Sequence, residues 1–357
     1  MRRLRHGGLG RCLTLNRKDK YEKAFGMKRL TVIIPGYNTP NEWWRRCIDS
    51  VLAACGENDE VICVDDGSAA PVPFSEFSGD SRLHAVRLEK NSGLAAARNA
   101  ALESAQGEYV TFVDSDDEVR SDTFSHCLEM LESTRSDICI YGVDVIWSAD
   151  GIRKHDIPPR KEYGSLAPIE MKKLHDGCLF NYACNKVYRR AFLDGNKLRF
   201  NPDGMPCEDI IFNLECLMAG AKWCSVDYEG YVYYRGAGTL VSNYQRSFRI
   251  GTRLCAETWA KYCERDCEAK KLFGSFADLS DAALDWQEWV NVWRPKTPYS
   301  LKGRWCWLKE HSHAMGVRFI AVEFLKKATY TLLRRWLYIK PIRVWHLKRV
   351  FPNIESF

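Results

Sequence analysis

The chain has no CxxC pair, no apolar segment following its N-terminal arginines, and no charge-free run long enough to span a bilayer. Each absence removes a class. Without CxxC pairs there is no zinc ribbon or thioredoxin-type redox motif, and the odd number of cysteines, 15, argues against a closed disulfide framework. Spread through apolar stretches (Cys47, Cys55, Cys63, Cys127, Cys139, Cys184, Cys216), they read as small buried hydrophobes in a reducing compartment. Cys263 and Cys267 come closest together, on one predicted helix. Arg2, Arg3, Arg5 and Arg11 precede no h-region, so the head does not read as a signal peptide, and Met27 is a candidate start. A spanning helix needs roughly 18 uncharged residues, and none is found.

What is there begins with an ordinary folded composition, 46% hydrophobic and 27% charged over 357 residues, enough for one large domain and an appendage. The net charge of +6 is unevenly divided: residues 1–28 carry +7, residues 301–357 carry +9, and residues 29–300 carry −10. An acidic middle excludes a nucleic-acid-binding core, while basic ends suit an anionic surface. Residues 1–28 are expected to form a disordered basic extension.

From Leu30 the pattern alternates. Leu30 to Pro35 is a β-branched run suited to a buried strand, and Asn41 to Cys55 has helix-period apolar positions at Trp44, Cys47, Ile48, Val51 and Leu52. Strands follow at 60–64, 83–88, 108–113 and 138–141, with helices at 93–105 and 123–133. The alternation over 29–145 predicts an α/β fold, a mostly parallel sheet flanked by helices, with ligands at the carboxyl ends of its strands. Asp65-Asp66 ends one strand and Asp114-Ser115-Asp116-Asp117 another, so two carboxylate clusters should share one rim, neither with a neighbouring Lys or Arg in sequence. A divalent ion carrying a phosphate is one explanation, and a solvated acidic turn capping the helix near Asp122 is the other.

Four motifs in order, Val32-Ile33-Ile34-Pro35-Gly36-Tyr37-Asn38, Val64-Asp65-Asp66-Gly67-Ser68, Asn91-Ser92-Gly93-Leu94-Ala95-Ala96-Ala97-Arg98-Asn99 and Phe112-Val113-Asp114-Ser115-Asp116-Asp117, resemble those of family 2 glycosyltransferases of the GT-A fold. The resemblance implies an inverting enzyme that moves a sugar from a nucleoside diphosphate, a UDP-sugar by preference, to an acceptor hydroxyl. It implies that Pro35 and Tyr37 border the base, Asp66 accepts from the base edge, Arg98 lies near the nucleotide and its phosphates, Asp114 lies by the ribose, and Asp116 binds Mn²⁺ or Mg²⁺. Gly93 would let backbone approach the ligand at the start of a helix.

Further on, Ala183-Cys184-Asn185-Lys186-Val187-Tyr188-Arg189 and Glu208-Asp209-Ile210-Ile211-Phe212-Asn213 resemble two more stretches of the same family. By that resemblance Asp209 is the base that deprotonates the acceptor, with Glu208, Asn185 and Lys186 on the acceptor side or just behind it. A helix N-terminus is the alternative for the acidic pair. Tyr231-Val232-Tyr233-Tyr234-Arg235, followed by Gly238-Thr239, resembles a segment that folds over the donor diphosphate with Arg235 as counter-charge; an edge strand packed on the sheet is the alternative. Gly36 and Ser121 depart from the usual pattern. Residues 144–168 read as a polar connection, dividing a nucleotide-binding half (29–145) from an acceptor half (146–245).

Residues 246–357 read as a helical, basic C-terminal region. Within it, aromatic residues such as Trp305, Trp336 and Trp345 interleave with Lys326, Lys327, Arg334 and Arg335, which suits either an anionic membrane interface or a helix packed on the catalytic domain. The combined expectation is a cytoplasmic enzyme, peripheral on the inner membrane face, extending a glycan or polyprenyl-linked saccharide for a capsule, exopolysaccharide or lipopolysaccharide. A nucleotidyltransferase is disfavoured because Pro35-Gly36-Tyr37 is no Gly-rich basic loop, and an inactive binding module because Asp116 and Asp209 are both present.

Overall fold

The structure, a computed structural model, describes residues 28–70, 72, 74–77, 79–147, 152–235, 248–277 and 354–355. The basic head, the Gly238-Thr239 loop and the aromatic-basic residues of 301–353 lie outside the described residues.

The first half follows the alternation. Strands β1 (Leu30–Gly36), β2 (Glu60–Asp65), β3 (Leu83–Arg87) and β4 (Tyr109–Phe112) lie in the spatial order β4-β1-β2-β3, all parallel. β1, β2 and β4 are buried almost throughout, because helices cover both faces, and this is why they read as unbroken apolar runs. Helix α1 (Asn41–Ala54) buries Trp44, Cys47, Ile48 and Val51, spaced i, i+3, i+4, i+7 on one face. Helix α2 (Leu94–Ser104) packs on β1 and β2 through Ala95, Ala97 and Ala101, whose small side chains let it approach closely. Helix α3 (Thr123–Thr134) follows the two-residue strand β5 (Glu118–Val119) and buries Phe124, Cys127, Leu128 and Leu131.

The second half makes the sheet mixed. Strand β6 (Ile138–Trp147) is longer than the predicted 138–141, and the supposed connection holds two more strands, β7 (Ile152–Asp156) and β8 (Lys161–Ser165). Helix α4 (Pro168–Asp176), strand β9 (Lys186–Arg189), helix α5 (Arg190–Gly195), helix α6 (Glu208–Met218) and the long strand β10 (Lys222–Arg235) complete it. β9 lies between β4 and β6, antiparallel to both, and β10 runs parallel to β6 and antiparallel to β5 and β8. The mostly parallel arrangement expected over 29–145 is found in β1 to β4, and the β6–β10 pair is parallel as well. A two-residue β11 (Ile354–Glu355) pairs with β7.

Helices α7 (Phe248–Arg265) and α8 (Cys267–Ala277) begin the helical region expected beyond 245. Cys263 and Cys267 fall on either side of the break between them. All described cysteines are free, and only Cys267 is exposed. No helix among the described residues is long and apolar enough to cross a membrane.

Candidate active site

The parallel register builds the site. Gly36 at the end of β1 lies beside Asp65 at the end of β2, and Ile33 lies beside Phe112 at the end of β4. Both acidic turns therefore leave the sheet at one rim. Gly36 is required there, since a Cβ would meet Trp44 at 2.4 Å and Ser115 Oγ at 2.5 Å. Tyr37, just beyond, is 46% exposed.

The acidic turns are not without cations, as their sequence neighbours suggested. Asp65 forms an ion pair with Arg87, its cross-strand neighbour at the end of β3. Burial pushes the Asp65 carboxyl up, but the Ser68 hydroxyl and N–H and the Arg87 guanidinium outweigh it and hold it below its ordinary value. Asp66 is buried and takes N–H donations from Ser92 and Gly93, each at 2.8 Å, on separate oxygens. Gly93, with φ 91°, thus ties the start of α2 to the β2 turn. Burial raises the Asp66 carboxyl despite these bonds.

Arg98 sits beneath the rim, between two of the expected site carboxylates. Its side chain is 1% exposed, and its Nη1 donates to Asp209 Oδ1 at 2.5 Å while Nη2 donates to Asp114 Oδ1 at 2.8 Å. Beneath the guanidinium, Phe200 stacks on Phe212 at 4.1 Å and meets Phe112 edge-on at 4.9 Å, with the Phe200 ring centre 5.0 Å from the Arg98 Cζ. Burial works against the guanidinium charge, but the Asp209 and Asp114 carboxylates outweigh it and keep Arg98 charged. One cation thus joins the turn after β4 to the first turn of α6, whose Asp209 lies 111 residues beyond Arg98 itself.

The Asp114–Asp117 turn is held from behind. Asp117 is fully buried and accepts from the Tyr231 hydroxyl and the Tyr234 N–H, both at 2.8 Å, and Tyr231 also accepts from the Asp114 N–H at 3.1 Å. The tyrosine segment is therefore a sheet strand that buttresses the acidic turn. Arg235, at the end of β10, is exposed. Arg46 of α1 stacks on Tyr234 at 4.0 Å and donates to the Asp116 carbonyl at 2.5 Å. The Asp116 carboxylate itself receives no hydrogen bond from another described side chain, and burial, then the nearby Asp114, push it up to about 6. Asp114 is raised as well, by burial opposed by Arg98.

On the other side, Asp209 accepts from Arg98 and, through Oδ2, from the Ala183 N–H at 2.8 Å. Neither acidic residue of α6 caps it: Cys207 occupies the N-cap, without a side-chain bond. Glu208 is 6% exposed, with Oε2 buried and unpartnered, and burial followed by repulsion from Asp209 pushes its carboxyl up to about 7. Asn185 and Lys186 are fully buried and cannot touch an acceptor. The Lys186 ammonium donates to the carbonyls of Leu179 and Tyr182 and to Asn185 Oδ1, which fixes the loop carrying Ala183.

Pro35, Tyr37, Asp66, Gly93, Asp114, Asp116, Glu208 and Asp209 all lie around this rim, while Arg98 lies beneath it. The sequence reading missed Arg87, whose place opposite Asp65 follows from strand alignment, and the supporting roles of Asp117 and Tyr231. The missing link was tertiary.

Comparison with known proteins agrees with this architecture. The chain is 27% identical to the Bacillus subtilis protein EpsH, over 73% of this chain and 77% of that protein. It is 29% identical to the succinoglycan biosynthesis protein ExoO of Rhizobium meliloti, over 59% of this chain and 62% of that one, under two thirds of its length. The crystal structure of Staphylococcus aureus TarS 1–349 in complex with UDP-GlcNAc superposes with a TM-score of 0.55 at 22% identity, covering 74% of this chain and 72% of that one, so the fold is GT-A. Residues 31–195, just under half of the chain, match the model of Glycosyl transferase family 2, so this stretch is a family 2 glycosyltransferase domain.

Proposed function

We propose that the protein is a divalent-metal-dependent inverting transferase. It takes the sugar of a UDP-sugar, hexose or N-acetylhexosamine, to a hydroxyl of a glycan or polyprenyl-linked saccharide in the synthesis of a capsule, exopolysaccharide or lipopolysaccharide. The observation that carries this reading is Arg98 held between Asp114 and Asp209, since it brings a donor-side carboxylate and a candidate base together on one guanidinium. The names of ExoO and of the UDP-GlcNAc complex of TarS support the substrate class.

The donor set at Asp116 fits a hard cation: a carboxylate that is raised to about 6 and receives no hydrogen bond from another described side chain. Asp116, with Asp114 beside it, would hold Mn²⁺ or Mg²⁺, which when bound would stabilise negative charge on the departing diphosphate. The remaining work falls to the chain. Asp66, tied to Gly93, and the exposed Tyr37 with Pro35 frame the base, and Arg235 at the end of β10 adds positive charge at the rim. Asp209 accepts the proton of the attacking hydroxyl, its two oxygens oriented by Arg98 and the Ala183 N–H. Arg98 keeps Asp209 and Asp114 from repelling one another.

Residues 301–357, with their +9 charge, are assigned to an anionic membrane surface on the cytoplasmic face. Deleting them should lower sedimentation with anionic vesicles and spare donor hydrolysis. The deciding experiment for the reaction is donor binding by thermal shift and transfer by UDP release, with and without Mn²⁺. Asp116→Ala and Asp209→Asn should each cut transfer severely, with only Asp116→Ala weakening metal-supported UDP binding. Wild-type transfer in both variants would overturn the assignment.

A further inference from the structure

Away from this rim, β6, β7 and β10 assemble a second polar cluster that takes no part in the proposed reaction. Asp144 of β6 and His155 of β7 are directly opposed across the strand pair, so their side chains leave the sheet on one face. Glu229 of β10 joins them. The register of β10 against β6 shifts on both sides of Glu229, an irregularity of the kind that re-aims a side chain. Opposite Glu229 stands Gly142, where a Cβ would come 3.0 Å from the carbonyl oxygens of Asp156 and Tyr228 and 3.2 Å from the Glu229 Cα. A side chain at 142 would hold β7 and β10 apart at this level.

The donor atoms converge. One from each of Asp144, His155 and Glu229 lies within 4.8 Å of the other two. His155 Nδ1 contacts Glu229 Oε1 and lies 3.7 Å from Asp144 Oδ1. Asp144 is fully buried, and its Oδ1 has no hydrogen-bond partner, a costly state for a carboxylate oxygen. The other oxygens are already engaged: Arg120 lies 3.1 Å from both Asp144 Oδ2 and Glu229 Oε2, and Arg153 lies 3.4 Å from Asp144 Oδ2. The arginines hold the outward oxygens, as groups behind a metal site orient its ligands, and leave the inward ones facing the imidazole.

We propose that Asp144, His155 and Glu229 form a second cation site, separate from Asp116, that takes a borderline transition-metal ion of the Zn²⁺ class with water completing its coordination. One imidazole and two carboxylates suit such an ion better than Mg²⁺ or Ca²⁺. The ion would clip β7 and β10 to β6. Because Arg120 directly follows β5, which continues from the Asp114–Asp117 turn, the clip would also steady the far end of that turn.

The test uses full-length protein stripped of metal, in an Asp116→Ala background that removes the other candidate site. Zn²⁺ alone is titrated by calorimetry and Co²⁺ alone by absorption, with thermal melting followed in parallel. One saturable equivalent is expected, with a raised melting temperature and a cobalt spectrum lacking thiolate charge transfer. Affinity should fall at least tenfold on adding His155→Ala, and likewise on adding Glu229→Gln, with metal-free melting showing that both variants fold. Absence of saturable binding, undiminished binding in both variants, or a thiolate band that assigns the ion to cysteines would each overturn the proposal.

Discussion

Asp116 offers a quantitative test that needs no substrate. Its carboxyl lies at about 6 in the folded protein against an ordinary 3.8, first through burial and then through the neighbouring Asp114. That difference corresponds to about 3 kcal/mol between the two protonation states. The sign follows from linkage: the unfolded chain loses the proton near pH 4 and the folded chain only near 6, so a destabilisation grows between those values and is complete above 6. Asp116→Asn removes it. The metal-free variant should therefore be more stable than wild type by about 1–3 kcal/mol at pH 7.5, and the gain should vanish near pH 4. Guanidinium denaturation of both proteins in chelator, at pH 4, 5, 6 and 7.5, measures it. Adding Mn²⁺ should then stabilise the wild type and leave the variant unchanged. A gap that does not change with pH, or an Asn variant less stable at pH 7.5, would refute the account of Asp116 as a carboxylate kept under electrostatic load for a cation.

Other expectations follow from the same network. Asp209→Asn should lower transfer by about 10²–10⁴-fold, the usual worth of a general base, while UDP binding by calorimetry stays near wild type. Arg98→Met leaves two carboxylates without their shared cation and should cost about 3–5 kcal/mol in denaturant unfolding; Arg98→Lys, lacking the fork, should not restore the loss. Glu208→Gln should gain stability over wild type as pH rises from 5 to 8, because the native carboxyl, pushed up to about 7, resists an ionisation that the unfolded chain accepts earlier. A constant difference in urea titrations across that range would contradict it. Lys186→Met leaves the Leu179 and Tyr182 carbonyls unpaired and should destabilise by about 2–4 kcal/mol, read as a lower melting temperature with the metal response of Asp116 retained.

The parts legible in sequence were those governed by local rules. The runs from Leu30 and Glu60, the helix beginning at Leu94 and the helix beginning at Thr123 fall where periodicity and glycine punctuation put them. The shared rim of the two acidic turns was legible because a parallel sheet sends its loops to one edge. β7 and β8 were not, since they are charged strands away from the central core, and Arg153, His155 and Lys161 read as a polar linker when the sheet that organises them is not in view. Arg98 was placed by motif in the right neighbourhood, but its two carboxylate partners were not legible. Nothing in the spacing of residues 98, 114 and 209 shows that one guanidinium spans the last two.

The position of β9 bears on how the chain is made. β4 and β6 are both antiparallel to β9 and hence parallel to each other, with α3 between them in sequence. During synthesis from the N-terminus, they emerge as a ready strand-helix-strand unit well before residue 186 exists, and such units pair directly. Direct pairing would close the slot that β9 has to enter. The order of emergence and the order of the finished sheet therefore conflict at this one position. A nascent chain released early should be trapped with the Tyr109–Phe112 edge satisfied by the wrong neighbour, and the Ala183 loop, with its hold on Asp209, would be left outside the fold.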